Sequence, residues 1–423
     1  MSSEINRGGS RIVLLASIGG MLEFYDFVVF GIFAKDIADA VFPAASPLAS
    51  LMASFAAFAA GYLARPVGGL VLSHYGDRYG RRTVFLVSIF VMSAATFGMG
   101  LVPTFATWGV AASVAMVLLR IVQGLCLGGE LPGALTYVVE TAPGAAPFVC
   151  GLVFACVTIG VALATGVSVS VRTLLDPSLV SFFGWRIAFL VGGLGGVISF
   201  VMRRSLEESP EFARMSSLAV KQPFSEVLRT RPMQTLTGIA LLAGTACFNG
   251  LFFSHLPAFL TTVLHYDPRQ AVLAQTTGVI AAALGIVGAG WAASRVAPRY
   301  LLRVGVTLLL VGAIPFYRAL EARSINLTLA LVLAGLCAAL TNGTFAVLLT
   351  DLFPTRVRFT GVALAFNVAF TLFSGLSPLV ATTLIRQTGS AVAPAYLMMA
   401  SALVALVGSL GTRRYGGAVM PAS

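Results

Sequence analysis

Charged side chains are scarce in this chain. Asp, Glu, Lys and Arg together make up 10% of its 423 residues, whereas apolar residues make up 58%. Soluble domains carry about 25% charged residues, and the mean hydropathy of +0.93 is far above the range of such domains. The composition therefore excludes a string of soluble domains and predicts an integral membrane protein.

Catalytic and metal-binding patterns are also lacking. The five cysteines lie within or at the ends of apolar runs, and none has CxxC spacing, so we interpret them as packing residues. The three histidines are scattered, and the sequence contains no HExxH, GxSxG or Walker motif. We therefore expect no catalytic residue, no metal site and no cofactor, and the chain is not predicted to be an enzyme.

Long apolar runs recur along nearly the whole chain. A helix that crosses a bilayer core needs roughly 20 apolar residues, and runs of that length predict twelve transmembrane spans, numbered 1 to 12 in chain order. Their approximate limits are 12–34, 48–72, 83–102, 108–139, 148–171, 185–202, 235–260, 271–293, 301–320, 326–350, 359–385 and 395–410. We predict an all-α membrane protein with a six-helix bundle in 1–202, a cytoplasmic linker in 203–232, and a second six-helix bundle with a short cytoplasmic tail in 233–423.

The formal net charge of +11 raises the alternative of a nucleic-acid partner. The placement of the basic residues argues against it. With the N-terminus inside, Arg120 falls within a span and most other basic residues, Arg65 among them, fall on the inner side. The outer side receives only Lys35, Arg172, Arg186, Arg269, Arg318, Arg323 and Arg386. By the positive-inside rule both termini are predicted to be cytoplasmic, and no nucleic acid is expected to bind.

The two halves of the chain resemble each other weakly. The segment SHYGDRYGRRT after span 2 aligns with AGWAASRVAPRY after span 8, which places Arg78 opposite Arg295. VETAP after span 4 likewise aligns with TDLFP after span 10, which places Glu140 opposite Asp351. Both matches lie at equivalent places, so they predict a duplicated transporter with its site between two pseudo-symmetric bundles.

Five sequence blocks carry a resemblance to a known family. They read EFYDFVVFG, RPVGGLVLSHYGDRYGRR, RIVQGLCLGGELPGALTYVVETAP, GWRIAFLVGG followed by RRSLEESPEF, and DLFPTRVRFTGVALAFN. In this order they resemble the metabolite:proton symporter family of the major facilitator superfamily. The resemblance implies a secondary active transporter driven by protons.

The sequence also departs from that family. The family usually has Trp where Phe24 stands, Gly where Ser73 stands, and an acidic loop motif in the second half where this chain has Ser294. The loop TAPGAAPF between spans 4 and 5 has no basic residue. We therefore expect a weaker cytoplasmic latch in the second half than in the relatives.

The loop after span 2 is predicted to form a cytoplasmic gate. The resemblance implies that its arginines pair with acids at the end of span 4 and in the SLEESPEF segment when the outside is open. Asp351 with Arg356 would be the equivalent in the second half. The alternative is that these arginines only satisfy the positive-inside rule. The predicted gate residues are Gly76, Asp77, Arg78, Gly80, Arg81, Arg82, Glu130, Glu140, Glu207, Asp351 and Arg356.

Two acids lie inside span 1. An Asp or Arg at the centre of a membrane helix costs about 2.5 to 3.5 kcal/mol on insertion scales, so Asp26 needs compensation. Arg120 of span 4 lies at a similar depth, and the two are expected to neutralise each other. Glu23 shares a helix face with Asp26, and two nearby carboxylates disfavour simultaneous ionisation. We predict proton coupling at Asp26, Glu23 and Arg120, with a merely structural ion pair as the alternative.

Polar residues at suitable depth are candidate substrate ligands, although Asn side chains in spans are as often helix–helix hydrogen bonds. Because the Arg120 guanidinium offers a forked donor to a carboxylate, an organic anion or a zwitterion fits the site. We predict a proton-driven importer of a small organic acid, monomeric in the bacterial inner membrane. The alternatives are a proton-coupled carrier of a zwitterionic osmolyte such as betaine or proline, and a proton-driven efflux antiporter. The candidate ligands are Tyr25, Arg120, Gln123, Asn249, His255, Asn342 and Asn367.

Overall fold

The computed structural model describes residues 7–79, 81–176, 179–203 and 223–417. Within these ranges the side chains of 7–16, 73–79, 81–85, 130, 141, 202–203 and 223–225 lie outside the description. All regular elements in the described ranges are helices.

The first six spans follow the predicted order. Span 4 is interrupted after Cys126, and a short helix, Ala34–Val41, follows span 1 at an angle of 59°. The helices that form spans 1 to 6 are Arg7–Ile32, Pro47–Tyr79, Arg81–Leu101, Val110–Cys126 with Glu130–Thr141, Ala146–Leu174, and Trp185–Arg203. Shorter elements are the helix Phe105–Trp108, the 3₁₀ turn Pro143–Ala145 and the π-helical segment Val180–Gly184.

The second six spans begin after a short helix, Pro223–Thr230. Spans 7 and 11 each contain a π-helical segment, Gly250–His255 and Phe370–Gly375, and span 10 is interrupted near Gly343. The helices of spans 7 to 12 are Pro232–Asn249 with Leu256–Thr262, Pro268–Ala293, Pro298–Glu321, Leu327–Asn342 with Phe345–Asp351, Arg358–Ala369 with Ser377–Thr388, and Ala393–Tyr415. The 3₁₀ turn Thr355–Val357 precedes span 11.

The described helices have the length and composition of membrane spans. Ten of them are long and apolar enough to cross a bilayer, the bent pair at span 1 is an eleventh candidate, and Leu86–Leu101 is a shorter apolar helix in span 3. Together these account for the twelve predicted spans. Large apolar side chains on the outside are exposed, for example Leu284 at 70% and Val311 at 69%, as expected of residues that face lipid.

Each half of the chain repeats the same helix packing. Span 1 packs against span 5, span 2 against span 4 and span 3 against span 6; in the second half span 7 packs against span 11, span 8 against span 10 and span 9 against span 12. This agreement bears out the two pseudo-symmetric bundles that the loop echoes predicted. The exact limits 1–202, 203–232 and 233–423 stay predictions.

The two halves meet along several pairs of spans. Span 5 packs on span 8, span 2 on span 11, and span 1 on the π-helical segment of span 7. Glycines permit the closest approaches: a Cβ on Gly151 of span 5 would lie 2.9 Å from the Cα of Gly290 in span 8.

Candidate transport site

Asp26 lies in the packed interior of the first half, 1% exposed. Its carboxylate faces span 6, where a Cβ added to Gly192 would lie 2.3 Å from Asp26 Oδ1. The Thr96 hydroxyl borders this carboxylate, but it donates its proton to the Met92 carbonyl at 3.0 Å, which leaves both Asp26 oxygens without a donor.

Arg120 of span 4 is fully buried among aromatic rings. Its guanidinium carbon lies 4.4 Å from the centroid of the Phe30 ring, 4.5 Å from that of Phe27 and 5.1 Å from that of Phe58. Nη1 donates to Gln123 Oε1, and Nη2 donates to the Phe27 carbonyl at 3.4 Å. Cation–π contacts and these hydrogen bonds stabilise the charge in place of an ion pair.

The expected direct pairing of Asp26 with Arg120 is not present in the described structure, where the two side chains form no contact within 4.0 Å. They project to different sides of span 1, because Asp26 faces span 6 while Arg120 lies over Phe27. Gln123 connects them: its Nε2 donates to Thr96 at 2.8 Å and to the Asp26 backbone carbonyl at 3.4 Å. The predicted coupling residues are therefore brought together through an amide.

Glu23 is also 1% exposed and lies one turn before Asp26. Its neighbour on the same helix face, Phe27, contacts the guanidinium of Arg65 at 5.6 Å. The charge of Glu23 acts on Arg65. Span 1 thus presents its two acids to two different surroundings, Asp26 to spans 3 and 6 and Glu23 towards span 2.

Arg65 is a site residue that the sequence interpretation missed. It was counted with the inner basic residues, but it is 1% exposed within span 2. Its guanidinium carbon lies 5.3 Å from the ring centroid of Tyr62 and 5.8 Å from that of Phe366 in span 11. The available signal was its position, seven residues inside the predicted span that ends at residue 72.

Two asparagines of the second half lie together. Asn249 Nδ2 donates to Asn342 Oδ1 at 3.1 Å, which joins spans 7 and 10, while Asn249 Oδ1 has no partner. Gln275 of span 8, another residue missed at the sequence level, donates to the carbonyls of Phe252 and Phe253 in the π-helical segment of span 7. π-Helical segments often occur at functional sites, so this is a candidate ligand surface.

Three other predicted ligands lie apart from that pair. Asn367 of span 11 donates to the Gly128 carbonyl of span 4 and so joins the halves. His255 is stacked between Phe259 and the first-half residue Phe55, at centroid distances of 5.5 and 5.6 Å. Tyr25 donates to the Ala188 carbonyl at 3.0 Å, so its hydroxyl joins spans 1 and 6.

Glu140 and Arg358 connect the halves at one end of the molecule. Glu140 Oε1 lies 2.9 Å from Arg358 Nη1, and Arg358 Nε donates to the Phe353 carbonyl. Arg356, which was expected beside Asp351, lies 3.4 Å from Glu226 instead. Asp351 Oδ2 accepts from the Gly417 backbone N–H at 2.8 Å. The second-half contact is thus built differently from the expectation.

The remaining predicted gate residues lie outside the part of the chain whose side chains the structure describes. They are Gly76, Asp77, Arg78, Gly80, Arg81, Arg82, Glu130 and Glu207. Their roles stay predictions.

The opposite end is also closed. Asp36 of the short helix after span 1 forms an ion pair with Arg172 of span 5 at 2.6 Å. Arg269 of span 8 donates to the Arg172 carbonyl at 2.9 Å, which joins the halves there. The candidate coupling and ligand residues between the two ends are buried, at most 5% exposed.

The sequence of this chain matches the family described as Major Facilitator Superfamily over residues 16–378. The chain belongs to the Major Facilitator Superfamily. The resemblance to its metabolite:proton symporter family, and the prediction of a transporter and not an enzyme, are confirmed by the curated relatives. The citrate-proton symporter of Klebsiella pneumoniae is 34% identical over 406 residues, which is 95% of this chain and 91% of the relative.

A second relative is named for different substrates. The proline/betaine transporter of Escherichia coli (strain K12) is 31% identical over 416 residues, covering 94% of this chain and 82% of the relative. Among solved structures, the xylose transporter XylE from E. coli in a partially occluded inward open conformation has a TM-score of 0.74 at 16% identity. The structural alignment covers 98% of this chain and 98% of the XylE chain. This likeness confirms the predicted twelve-span fold.

Proposed function

We propose that this chain is a secondary active transporter that imports a small organic acid together with protons by alternating access. The observation that carries the proposal is the Gln123 amide, which accepts from the buried cation Arg120 and donates to Thr96 and to the backbone carbonyl of the buried acid Asp26. Thr96 and the Asp26 carboxylate both border Gly192, so a proton on that carboxyl group and an anion at Arg120 would influence each other through Thr96 and Gln123.

The Arg120 charge favours an anionic substrate. Its Nε has no hydrogen-bond partner, and a guanidinium binds a carboxylate with forked geometry. The citrate-proton symporter relative supports a di- or tricarboxylate or a similar metabolite. The proline/betaine relatives support the alternative, proton-coupled symport of a zwitterionic osmolyte; a proton-driven efflux antiporter is the third candidate.

We also propose the orientation. The distribution of basic residues supports a cytoplasmic location in a bacterial cell for both termini, the linker 203–232 and the Glu140–Arg358 end, with the Arg172 end outside. The protein would act as a monomer in the inner membrane. Opening inward then requires the Glu140–Arg358 contact to break, and opening outward requires the contact between Arg269 and Arg172 to break.

The test is uptake by the purified protein in proteoliposomes with an imposed pH gradient, acid outside. Labelled citrate, malate, succinate, glycine betaine and proline would be compared. We expect accumulation of one or more of the acids, abolished by a protonophore. Accumulation of betaine or proline alone would establish the osmolyte alternative, and uptake only when the gradient is reversed would establish export.

A further inference from the structure

Two arginines are buried in the first half with no described carboxylate within 4.0 Å of either guanidinium. Arg65 is 1% exposed and Arg120 is 0% exposed. Nε and Nη2 of Arg65 and Nε of Arg120 have no hydrogen-bond partner. Buried N–H donors of a cation are costly to leave unmatched, so both side chains are arranged to receive an anion.

The two guanidiniums belong to one site. Both lie over the same ring, with guanidinium carbons 5.6 Å (Arg65) and 4.5 Å (Arg120) from the Phe27 centroid. Spans 2 and 4 can place them so because their backbones nearly touch: a Cβ on Gly124 would lie 1.9 Å from the Gly61 carbonyl oxygen. Gly124 cannot be replaced without separating the two arginine-bearing helices, and a Cβ on Gly61 would lie 3.1 Å from the Arg120 carbonyl oxygen.

The site between the two cations also contains a hydroxyl and reaches the second half. The Tyr62 ring lies 5.3 Å from the Arg65 guanidinium carbon and 4.6 Å from the Phe27 ring that both arginines contact, and its hydroxyl lies 3.2 Å from Ser374 Oγ in the π-helical segment of span 11. Arg65 further contacts the ring of Phe366 in span 11. A ligand held here would touch both halves, which alternating access requires.

We propose that Arg65 and Arg120 each bind one carboxylate of the substrate, so that the preferred substrate is a small dicarboxylate. Tyr62, whose ring lies 5.3 Å from the Arg65 guanidinium carbon, would supply a hydroxyl to the carboxylate at Arg65. This assignment rests on the proposed import of an organic acid and narrows its substrate class.

Other anions and zwitterions fit less well for electrostatic reasons. A monocarboxylate would match one guanidinium and leave the other without a carboxylate. A betaine that placed its carboxylate on Arg120 would bring its quaternary ammonium group towards the second cation. A small molecule with a negative charge at one end and a positive charge at the other is therefore disfavoured, whereas one with a negative charge at each end is favoured.

The test compares succinate with succinamate, which has the same chain length but carries an amide in place of one carboxylate. Binding is measured as the concentration that half-inhibits counterflow in proteoliposomes, at a pH where both succinate carboxyls are ionised. We expect the wild-type protein to prefer succinate by about tenfold or more, the ratio that corresponds to one additional charge-assisted hydrogen bond. Equal inhibition by both probes would overturn the proposal.

Arg65→Gln should remove that preference selectively. Succinate affinity should fall by about tenfold or more, whereas succinamate affinity should stay within about threefold, since one arginine suffices for one carboxylate. Arg65→Lys, which retains the charge without the planar fork, should show an intermediate loss. A similar loss for both probes, or no loss for either, would contradict a carboxylate-binding role.

Arg303→Gln is the matched control. Arg303 donates to the Ser409 hydroxyl at 3.0 Å and to the Ser409 carbonyl at 2.9 Å between spans 9 and 12, so neither probe should change. If the Arg65→Gln variant does not insert into the membrane, the preference for succinate over succinamate in the wild-type protein and in Arg65→Lys decides whether Arg65 binds a carboxylate. Inhibition by betaine and by no acid would instead reject the proposed function itself, while equal succinate and succinamate inhibition would reject only the two-arginine site.

Discussion

Glu140 of span 4 and Arg358 of span 11 form an ion pair of 2.9 Å that joins the two halves at one end of the molecule. The Arg358 side chain is 4% exposed and that of Glu140 is 31% exposed. Removing one partner of such a pair leaves a largely buried charge without compensation, which costs more than breaking an exposed pair, whose median contribution is about 0 to 1 kcal/mol. In the proposed orientation this contact holds the cytoplasmic ends together.

Glu140→Gln should weaken that contact and favour opening at the cytoplasmic end. The expected result is a several-fold loss of transport rate with normal amounts of protein in the membrane, because only one of two alternating states is destabilised. The double variant Glu140→Arg with Arg358→Glu, which reverses the pair, should recover part of the rate. Arg356→Gln is the control, since the Arg356 side chain is 72% exposed in its pair with Glu226. Equal losses of transport in Glu140→Gln and Arg356→Gln would show that the Glu140–Arg358 pair has no particular role in closing this end.

Asp26→Asn should separate exchange from accumulation. The substitution imitates the protonated acid, so the variant is expected to exchange labelled substrate across the membrane while failing to concentrate it under a pH gradient. Counterflow and pH-driven uptake by the same vesicles measure the two activities. Asp39→Asn, at an exposed acid paired with Lys35, should leave both unchanged.

A merely structural Asp26 predicts another pattern. Expression, exchange and accumulation would then fall together in Asp26→Asn, because the change would disturb the packing around Gly192 and Thr96. Full accumulation by the variant would remove Asp26 from the coupling site and direct attention to Glu23.

Gly192→Ala should impair proton coupling through sterics alone. The new methyl group would lie 2.3 Å from Asp26 Oδ1 and 3.2 Å from the Thr96 methyl group, so the carboxylate must shift from its position. Gly→Ala inside a helix otherwise stabilises it by about 0.5 to 1 kcal/mol. In Gly195→Ala, the matched control in the same helix, the nearest atom is 3.4 Å away. We expect pH-driven uptake to fall at least several-fold in the first variant only; equal activity of both would show that the Asp26 pocket tolerates displacement.

The linker 203–232 should be inaccessible from outside the cell. Single cysteines placed there, in a variant without the five native cysteines, should not react with a membrane-impermeant maleimide in intact cells and should react after permeabilisation. A cysteine at Arg323, predicted to lie outside, is the positive control. Efficient labelling of the linker in intact cells would reverse the proposed topology.

The sequence by itself determined the number of spans and the family. Apolar runs long enough for a bilayer can form only helices there, because every backbone polar group must be bonded within its own segment. The same argument identified Asp26, Glu23 and Arg120 as exceptional, since a charge inside such a run needs a reason. The ordered motif blocks were specific enough to name the superfamily, which the comparisons confirmed.

Which side chains contact one another was decided only by the tertiary structure. Asp26 and Arg120 lie at similar depth, yet helix rotation directs one towards Gly192 and the other over Phe27, so an amide from Gln123 stands between them. Depth along a span can be counted from the sequence, but the direction of a side chain around the helix axis depends on packing against its neighbours. The burial of Arg65 and the pairing of Glu140 with Arg358 have the same cause. Both result from packing between spans that are distant in sequence, and no local sequence pattern encodes such contacts.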